Sequence, residues 1–573
     1  MNPLQDRPYY YLENFEIALA WIRQRHDDLL SDEERTFVAE FSSLPCASKA
    51  LLVRMLMRKG DLFRESRLNY PEIGVTAVAA SALIERAWID ADPTLNIEQI
   101  FSLLTKPEIV ALFKLTHHRK AMRKCDQLAE LSIEFAEARP FSRWHAAANE
   151  SVFHVRVCDL CDRLRLIFFG NLLQDWTAFV LSDLGVFRYE KVELPAQSRG
   201  FQSRRDIDDY LQLYQCRERS RAGESPESVL ADLPATCSNS WLNARREKFL
   251  FRIAQQFESM RRWSCALEIH ARCSFPGARV RAIRVLERCG HVEAAWQLAS
   301  TAQSAPESEG EAQQLTRILP RLVRKLGKPA PKKNRSSSST EVAQIVLSLP
   351  MEDSLSSSVE EIVRAHLEGR EQAEALQQSP GFASSRAVGT TSAPVFYVEN
   401  TLLNSLFGLL CWEAVFAPVP GAFFHPFHSG PADLHSADFH LRRKAQFADC
   451  LSQLDSNRYQ STVLKNFQLK YGTLSPFVAW EYLSEELLDL ALHCIPAAHL
   501  KKCFERILLD IPTNRSGLPD LIQFWPKEQR YRMIEVKGPG DRLQDNQIRW
   551  IKFCLGHGIP VEVCYVQWME KSA

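Results

Sequence analysis

The chain runs to 573 residues, 46% of them hydrophobic, with 70 Lys and Arg balanced by 70 Asp and Glu for a formal net charge of zero. That length accommodates three or four domains with real cores, and the charge balance excludes a globally basic nucleic-acid binder, so any DNA affinity must come from local patches. No apolar run reaches the roughly 18 residues of a membrane span. Acidic residues also interrupt the N-terminal stretch where a secretory signal needs an apolar region, so the expected place is the cytoplasm, on the nucleoid if the source is bacterial. The 15 cysteines form no even framework and read as reduced, buried thiols.

Residues 9 to 85 read as helices with a wing-like turn, and residues 104 to 132 as two short amphipathic helices bridged by a basic turn that carries Arg119 and Lys120. Further basic clusters hold Arg54, Arg58 and Lys59, then Arg245, Arg246 and Lys248, then Arg279, Arg281 and Arg284. Each alone is a solvated helix face; their number in the first half of the chain points to contact with a duplex backbone. His154, Cys158 and Cys161 fall at i, i+4 and i+7, which would put them on one helix face. A structural zinc site needs a second pair of ligands and none follows, so a packed helix face is the expectation.

From about 156 to 320 the pattern is helical throughout. RRWSCALEIHA and CGHVEAAWQLA align 28 residues apart, setting Ala266 over Ala294 and Ala271 over Ala299, as in helical-hairpin repeats of the tetratricopeptide kind, although an irregular array is the safer description. PAPKKNRSSSSTEV at 329 to 342 reads as a flexible basic linker, and SPGFASSRAVGTTSAP at 379 to 394 as a second break. The expected division is an N-terminal DNA-binding region over 1 to 155, a helical-repeat domain over 156 to 375, and a C-terminal domain over 376 to 573.

That last domain holds the chemistry. Two strand-like runs in GLPDLIQFWPKEQRYRMIEVKGPGD are joined by a polar turn, and fourteen residues separate Asp520 from the triplet Glu535, Val536, Lys537. Strand alternation puts Glu535 and Lys537 on one face and Ile534 and Val536 on the other, and a hairpin returns Asp520 to the edge beside Glu535. Two carboxylates with the Val536 carbonyl can hold Mg²⁺ or Mn²⁺, while Lys537 orients the attacking water and stabilises charge developing on a phosphodiester. A Gly-Pro-Gly break, a helix from about Asp541 to Leu555 and a strand at 561 to 566 complete the order of elements in a restriction-endonuclease-like nuclease core.

GLPDL, IEVKGPGDRLQDNQIRW and VEVCYV, with VENTLLNSLFGLLCWEAVF upstream, resemble the VRR-NUC branch of the PD-(D/E)XK nucleases, and within it the Fanconi-associated nuclease family, in a bacterial-type form. The resemblance implies a mostly α multidomain protein: a helical DNA-binding region with a SAP-like element near 95 to 135, a helical array, and an α/β nuclease domain. It implies that Glu399 completes the acidic site, in keeping with the apolar helical face of Leu402, Leu403, Leu406, Leu409 and Leu410 just after it, and that Gln547 supports it. It further implies a structure-selective endonuclease and 5′-3′ exonuclease cutting 5′ flaps in interstrand crosslink repair, either as a monomer or as a dimer on DNA. Arg279 and Arg281, with Tyr10, would then line a pocket for the DNA 5′ phosphate. The rival readings are a VRR-NUC four-way-junction resolvase and a non-catalytic helical-repeat scaffold. No ubiquitin-binding zinc finger is recognisable in the sequence.

Overall fold

The computed structural model describes residues 7–145, 150–174, 176, 188–328, 342–350, 358–377 and 393–569. The chain forms two compact units, Met1–Arg188 with Arg199–Asp208, and Tyr189–Ser198 with Asp209–Ala573. Among the described residues no helix is long and apolar enough to cross a membrane.

In the first unit, helices Tyr10–His26, Asp32–Ser43, Cys46–Leu56 and Thr76–Glu85 surround an aromatic core in which Phe37 packs on Trp88 with ring centroids 4.5 Å apart. The short strands are β1 (Leu62–Arg64), β2 (Ile89–Asp90), β3 (Thr94–Leu95), β4 (Arg139–Pro140) and β5 (Val152–Val155). β5 pairs antiparallel with both β1 and β2, and β3 pairs with β4; of these strands only β1 lies within 9 to 85, where a wing-like turn was expected. Ser31 and Glu34 form a capping box, and Glu34, with no exposed side-chain surface, also accepts from Arg163 and Arg204. Burial alone would raise its pKa; the bonds from Arg204, Ser31 and Arg163 hold it below the ordinary value.

Where two helices were expected over 104 to 132, the chain folds into Ile97–Leu103, Lys106–Leu112, His117–Ala121 and Lys124–Glu134. The basic turn itself coils, and Arg119 pairs with Glu130 at 3.0 Å and Glu134 at 2.8 Å. The shared helix face of His154, Cys158 and Cys161 does not exist. His154 lies on β5, its Nε2 3.2 Å from Asp61 Oδ2, whereas the helix begins only at Cys158. Cys161 is buried, which drives its thiol pKa well up.

The second unit opens with a helical array: Ser240–Ser259, Trp263–Arg272, Ala278–Arg288, Val292–Ser304 and Glu309–Lys325, each packed on the next. Its inner stripe is Ala266, Ala295, Ala299 and Ala302, while Ala271 and Ala294 are exposed. The 28-residue alignment was therefore out of register with the packing, because alanines one turn apart satisfy the same helical period equally well.

The five-stranded sheet of this unit comprises β6 (Ala343–Pro350), β7 (Val395–Tyr397), β8 (Leu521–Trp525), β9 (Arg530–Lys537) and β10 (Val561–Met569), in the order β6-β10-β9-β8-β7. β7, β8 and β9 run antiparallel in turn, and β10 lies parallel to β9 and β6. Both faces are covered, so these strands read as near-continuous apolar runs. On one face Ile522, Phe524, Tyr531 and Met533 join the large cluster built around helix Leu402–Leu410; on the other Leu521, Ile534 and Val536 pack with Val363 and Leu367 of helix Val359–Gln377. β6 pairs within this sheet and that helix packs on it, so the C-terminal α/β fold takes in residues before the expected boundary at 376. Residues 329–341 and 378–392, which hold most of the two expected breaks, lie outside the described residues.

Candidate active site

β8 and β9 are the expected hairpin, joined through Pro526–Glu528 and a left-handed Gln529 at φ +48°. Leu521 pairs with Ile534, so the next residues outward, Asp520 and Glu535, stand opposite each other on one face. Asp520 Oδ2 accepts the Val536 N–H at 2.8 Å, replacing the backbone partner lost where β8 ends. N–H and C=O of an extended residue face the same neighbouring strand, so the Val536 carbonyl is turned to this side as well.

Glu535 is fully buried, and its Oε2 has no hydrogen-bond partner among the described residues. The Lys537 ammonium stands 2.6 Å from its Oε1. Burial, then the neighbouring Asp520 charge, pushes the Glu535 carboxyl up to about 7. Asp520 rises to about 6, chiefly from burial, against the opposing pull of the Val536 N–H and Lys537. A buried carboxylate oxygen left without a donor, as Oε2 is here, is costly unless something absent from the chain completes it.

Glu399 follows β7 and is exposed. Its Oε2 accepts the Tyr397 hydroxyl at 2.5 Å and its Oε1 the Asn400 amide at 3.2 Å. Asn400 adopts a left-handed φ of +52° and accepts the Leu518 N–H at 3.2 Å, tying the Glu399 loop to the segment that delivers Asp520. Glu399 acts electrostatically on both Asp520 and Glu535, so the three carboxylates lie near enough to feel one another's charge. As they stand, no three Asp, Glu, His or Cys side chains among the described residues converge tightly enough to cage an ion. The oxygen-rich donor set and the orphaned Glu535 nonetheless fit a hard divalent cation. Sequence reasoning missed Tyr397, whose aromatic character at a strand end carries no signal of a carboxylate partner.

The helix after β9 is Asp545–Gly556, four residues later than expected, because Gly540 at φ +86° and a capping box between Gln544 and Gln547 set its start. Gln547 Oε1 accepts the Gln544 N–H at 2.8 Å, so this side chain caps the helix. Gly517, at φ +86°, lies so close to this helix start that an added Cβ would stand 2.7 Å from the Asn546 carbonyl carbon.

The remaining candidates lie elsewhere. Arg279 grips Glu311 through two bonds of 2.9 and 2.5 Å, and Arg281 grips Glu258 at 3.0 and 2.9 Å, so both guanidiniums already serve the packing of the array. In the first unit Tyr10 is half-buried edge-on to Tyr11, and Lys120 is exposed. A hollow of about 430 Å³ lined by Arg284, Arg288, Arg317, Arg321, Gln314, Glu287 and Asp545 carries more positive than negative charge.

Three family models match the chain: the FAN1 HTH domain over residues 9–90, the Fanconi anemia-associated nuclease SAP domain over 94–144, and the VRR-NUC domain over 454–568. A Fanconi-associated nuclease 1 homolog of Pseudomonas aeruginosa is 52% identical across 99% of this chain and 97% of its own length. The chain belongs to the Fanconi-associated nuclease family. This family member is therefore a DNA nuclease of the metal-dependent PD-(D/E)XK type. It is 24% identical to the Arabidopsis thaliana homolog, over 97% of this chain and 67% of that one. Its fold matches a crystal structure of paFAN1 bound to 5′-flap DNA with a gap, at TM-score 0.88 and 51% identity, covering 98% of this chain and 99% of that one.

Proposed function

We propose that this nuclease cuts 5′-flap DNA and digests from 5′ ends in interstrand crosslink repair, with Mg²⁺ or Mn²⁺ as cofactor. The observation that carries the reading is the buried Glu535, its Oε2 unpartnered among the described residues, facing Asp520 beside Lys537, in a chain half identical to a protein crystallised on 5′-flap DNA. Asp520, Glu535, the Val536 carbonyl and Glu399 would hold the cation. When bound, it polarises a phosphoryl oxygen and lowers the pKa of a bound water. The raised carboxyl groups bind protons in its absence, so loading it releases them. The Lys537 ammonium, kept against Glu535, is placed to orient the attacking water and to offset negative charge as it builds on the phosphorus oxygens.

The 5′-phosphate contact is better placed on Arg284 and Arg288 of that hollow than on Arg279 and Arg281, whose forks are occupied, as are those of Arg317 on Asp545 and Arg321 on Glu287. Positioning on the duplex rests on the helical regions before residue 330. The test is cleavage of end-labelled 5′-flap, 3′-flap, four-way and single-stranded DNA with Mg²⁺ or Mn²⁺. The expected result is preferential 5′-flap cutting that falls by orders of magnitude in Asp520→Ala with DNA binding intact. Full residual cleavage by that variant, or a preference for four-way junctions, would overturn the reading.

A further inference from the structure

The helix Glu309–Lys325 of the array is bonded to the helix Asp545–Gly556 that follows β9. Gln313 joins the two through both ends of its amide, donating to the Asp545 carbonyl at 3.3 Å and accepting from Arg549 Nη1 at 2.6 Å. Arg506 adds a bond to Glu309 at 2.9 Å. The arginine hollow opens on this seam. Arg284 donates there to Gln314 at 2.9 Å and Arg288 stands 5.7 Å from the Trp263 ring, and neither pairs with a carboxylate among the described residues. The other two arginines are held in different ways. Arg321 grips Glu287 at 2.8 and 2.6 Å within the array, and Lys325 joins them at 2.9 Å; the Glu287 side chain is 9% exposed, so that pair belongs to the packing. Arg317 and Asp545 instead pair across the seam, and the Asp545 side chain is 45% exposed. Arg317 Nη1 donates to Asp545 Oδ2 at 2.8 Å and its Nη2 to Oδ1, so one carboxylate fills both prongs of the fork, the geometry in which a guanidinium binds phosphate.

Resting on the reading of this hollow as the seat of the DNA 5′ phosphate, we infer that Asp545 is an internal competitor for that phosphate: its carboxylate holds Arg317 until a terminal phosphate displaces it. Both anions call for the same fork. A phosphate monoester brings a charge of about −1.5 to −2 and three acceptor oxygens, against the single charge and two oxygens of the carboxylate. An exposed ion pair is weak, so the exchange is an easy one. Arg549, one helical turn beyond Asp545, is the cation to which the freed carboxylate turns. The bond from Gln313 to the Asp545 carbonyl and the Arg506–Glu309 pair keep the seam closed meanwhile. The consequence is a hold on the 5′ end weaker than Arg284, Arg288 and Arg317 together would give, which lets the hollow release one end and take another.

The test is binding of the full chain, in EDTA to prevent cleavage, to two 5′ flaps identical except that one ends in a phosphate and the other in a hydroxyl, followed by fluorescence anisotropy. Asp545→Asn should bind the phosphorylated flap about three- to tenfold more tightly than the wild type, through loss of the competing pair and of a like charge beside the phosphate, and the hydroxyl flap less than about twofold more tightly. Arg317→Gln should weaken the phosphorylated flap, and by more in the Asp545→Asn background than alone, because the competitor is then gone. Asp545→Ser repeats the measurement should the asparagine variant fail to fold. An Asp545 variant that binds the phosphorylated flap no better than the wild type, or that tightens both flaps equally, overturns the inference. The double variant Arg284→Gln, Arg288→Gln separates the two readings. If it weakens both flaps alike, the hollow is not the phosphate seat and the competitor falls with it; if it weakens only the phosphorylated flap while Asp545→Asn changes nothing, only the role of Asp545 fails.

Discussion

The active site should destabilise the metal-free protein, and Asp520→Asn measures by how much. Asparagine preserves the shape and an oxygen to accept the Val536 N–H while removing the charge. Burial raises the Asp520 carboxyl from 3.8 to about 6. At about 1.36 kcal/mol per pKa unit this is a ceiling of about 3 kcal/mol, and because Glu535 shares the pocket we expect roughly 1–3 kcal/mol. The sign follows from linkage: a carboxyl whose folded pKa is raised is more willing to keep its proton folded than unfolded. Below about pH 4 both states are protonated and the two proteins should match. Between about pH 4 and 6 the unfolded chain ionises first, so the wild type loses stability relative to the variant, and above about 6 the loss is complete. Urea melts of the nuclease transition in EDTA at pH 4.5 and pH 8 provide the assay. Added Mg²⁺ should reverse the order at pH 8, since a ligand that binds only the folded wild type stabilises it by about 2.7 kcal/mol at 100 times its dissociation constant. A variant less stable than wild type at pH 8 in EDTA, or equally stabilised at both pH values, would refute the reasoning.

Three further outcomes are expected. Lys537→Ala should abolish turnover yet retain Mn²⁺ affinity, because an ammonium is no metal ligand; calorimetry that finds binding lost would contradict its role. Asp433 and Arg443 form a buried bidentate pair at 2.8 and 2.9 Å, so Asp433→Ala should cost about 3–5 kcal/mol in a denaturant melt by stranding the Arg443 charge, and a change under 1 kcal/mol would show that the pair is solvated. Gly517→Ala places a Cβ against the Asn546 backbone at a left-handed φ, which should destabilise by about 1–3 kcal/mol and reduce cleavage by moving the Asp520 segment, whereas wild-type melting and activity would show that the helix start yields without cost.

Legibility in the sequence tracked the distance over which each residue's neighbours had to be known. Asp520, Glu535 and Lys537 were readable because a two-residue period and one short turn determine which side chains share a face, and β8 and β9 keep that register. Glu399 lies more than a hundred residues upstream of Asp520, so its place depended on family resemblance and on the apolar helix behind it. Tyr397 was invisible for a different reason: an aromatic at a strand end has a sufficient local explanation, and only the folded chain brings its hydroxyl to Glu399. β6 was absorbed into the helical region because an edge strand in parallel pairing is fixed by β10, more than two hundred residues later, and no turn announces the partnership. The arginines present the opposite case. Arg279 and Arg281 have the composition of a phosphate site, but sequence shows a positive charge without the carboxylate that consumes it, and Glu311 and Glu258 become neighbours only once the helices stack. A basic cluster is thus a count of charges before folding, and what it offers DNA is the remainder after the fold has paired its own.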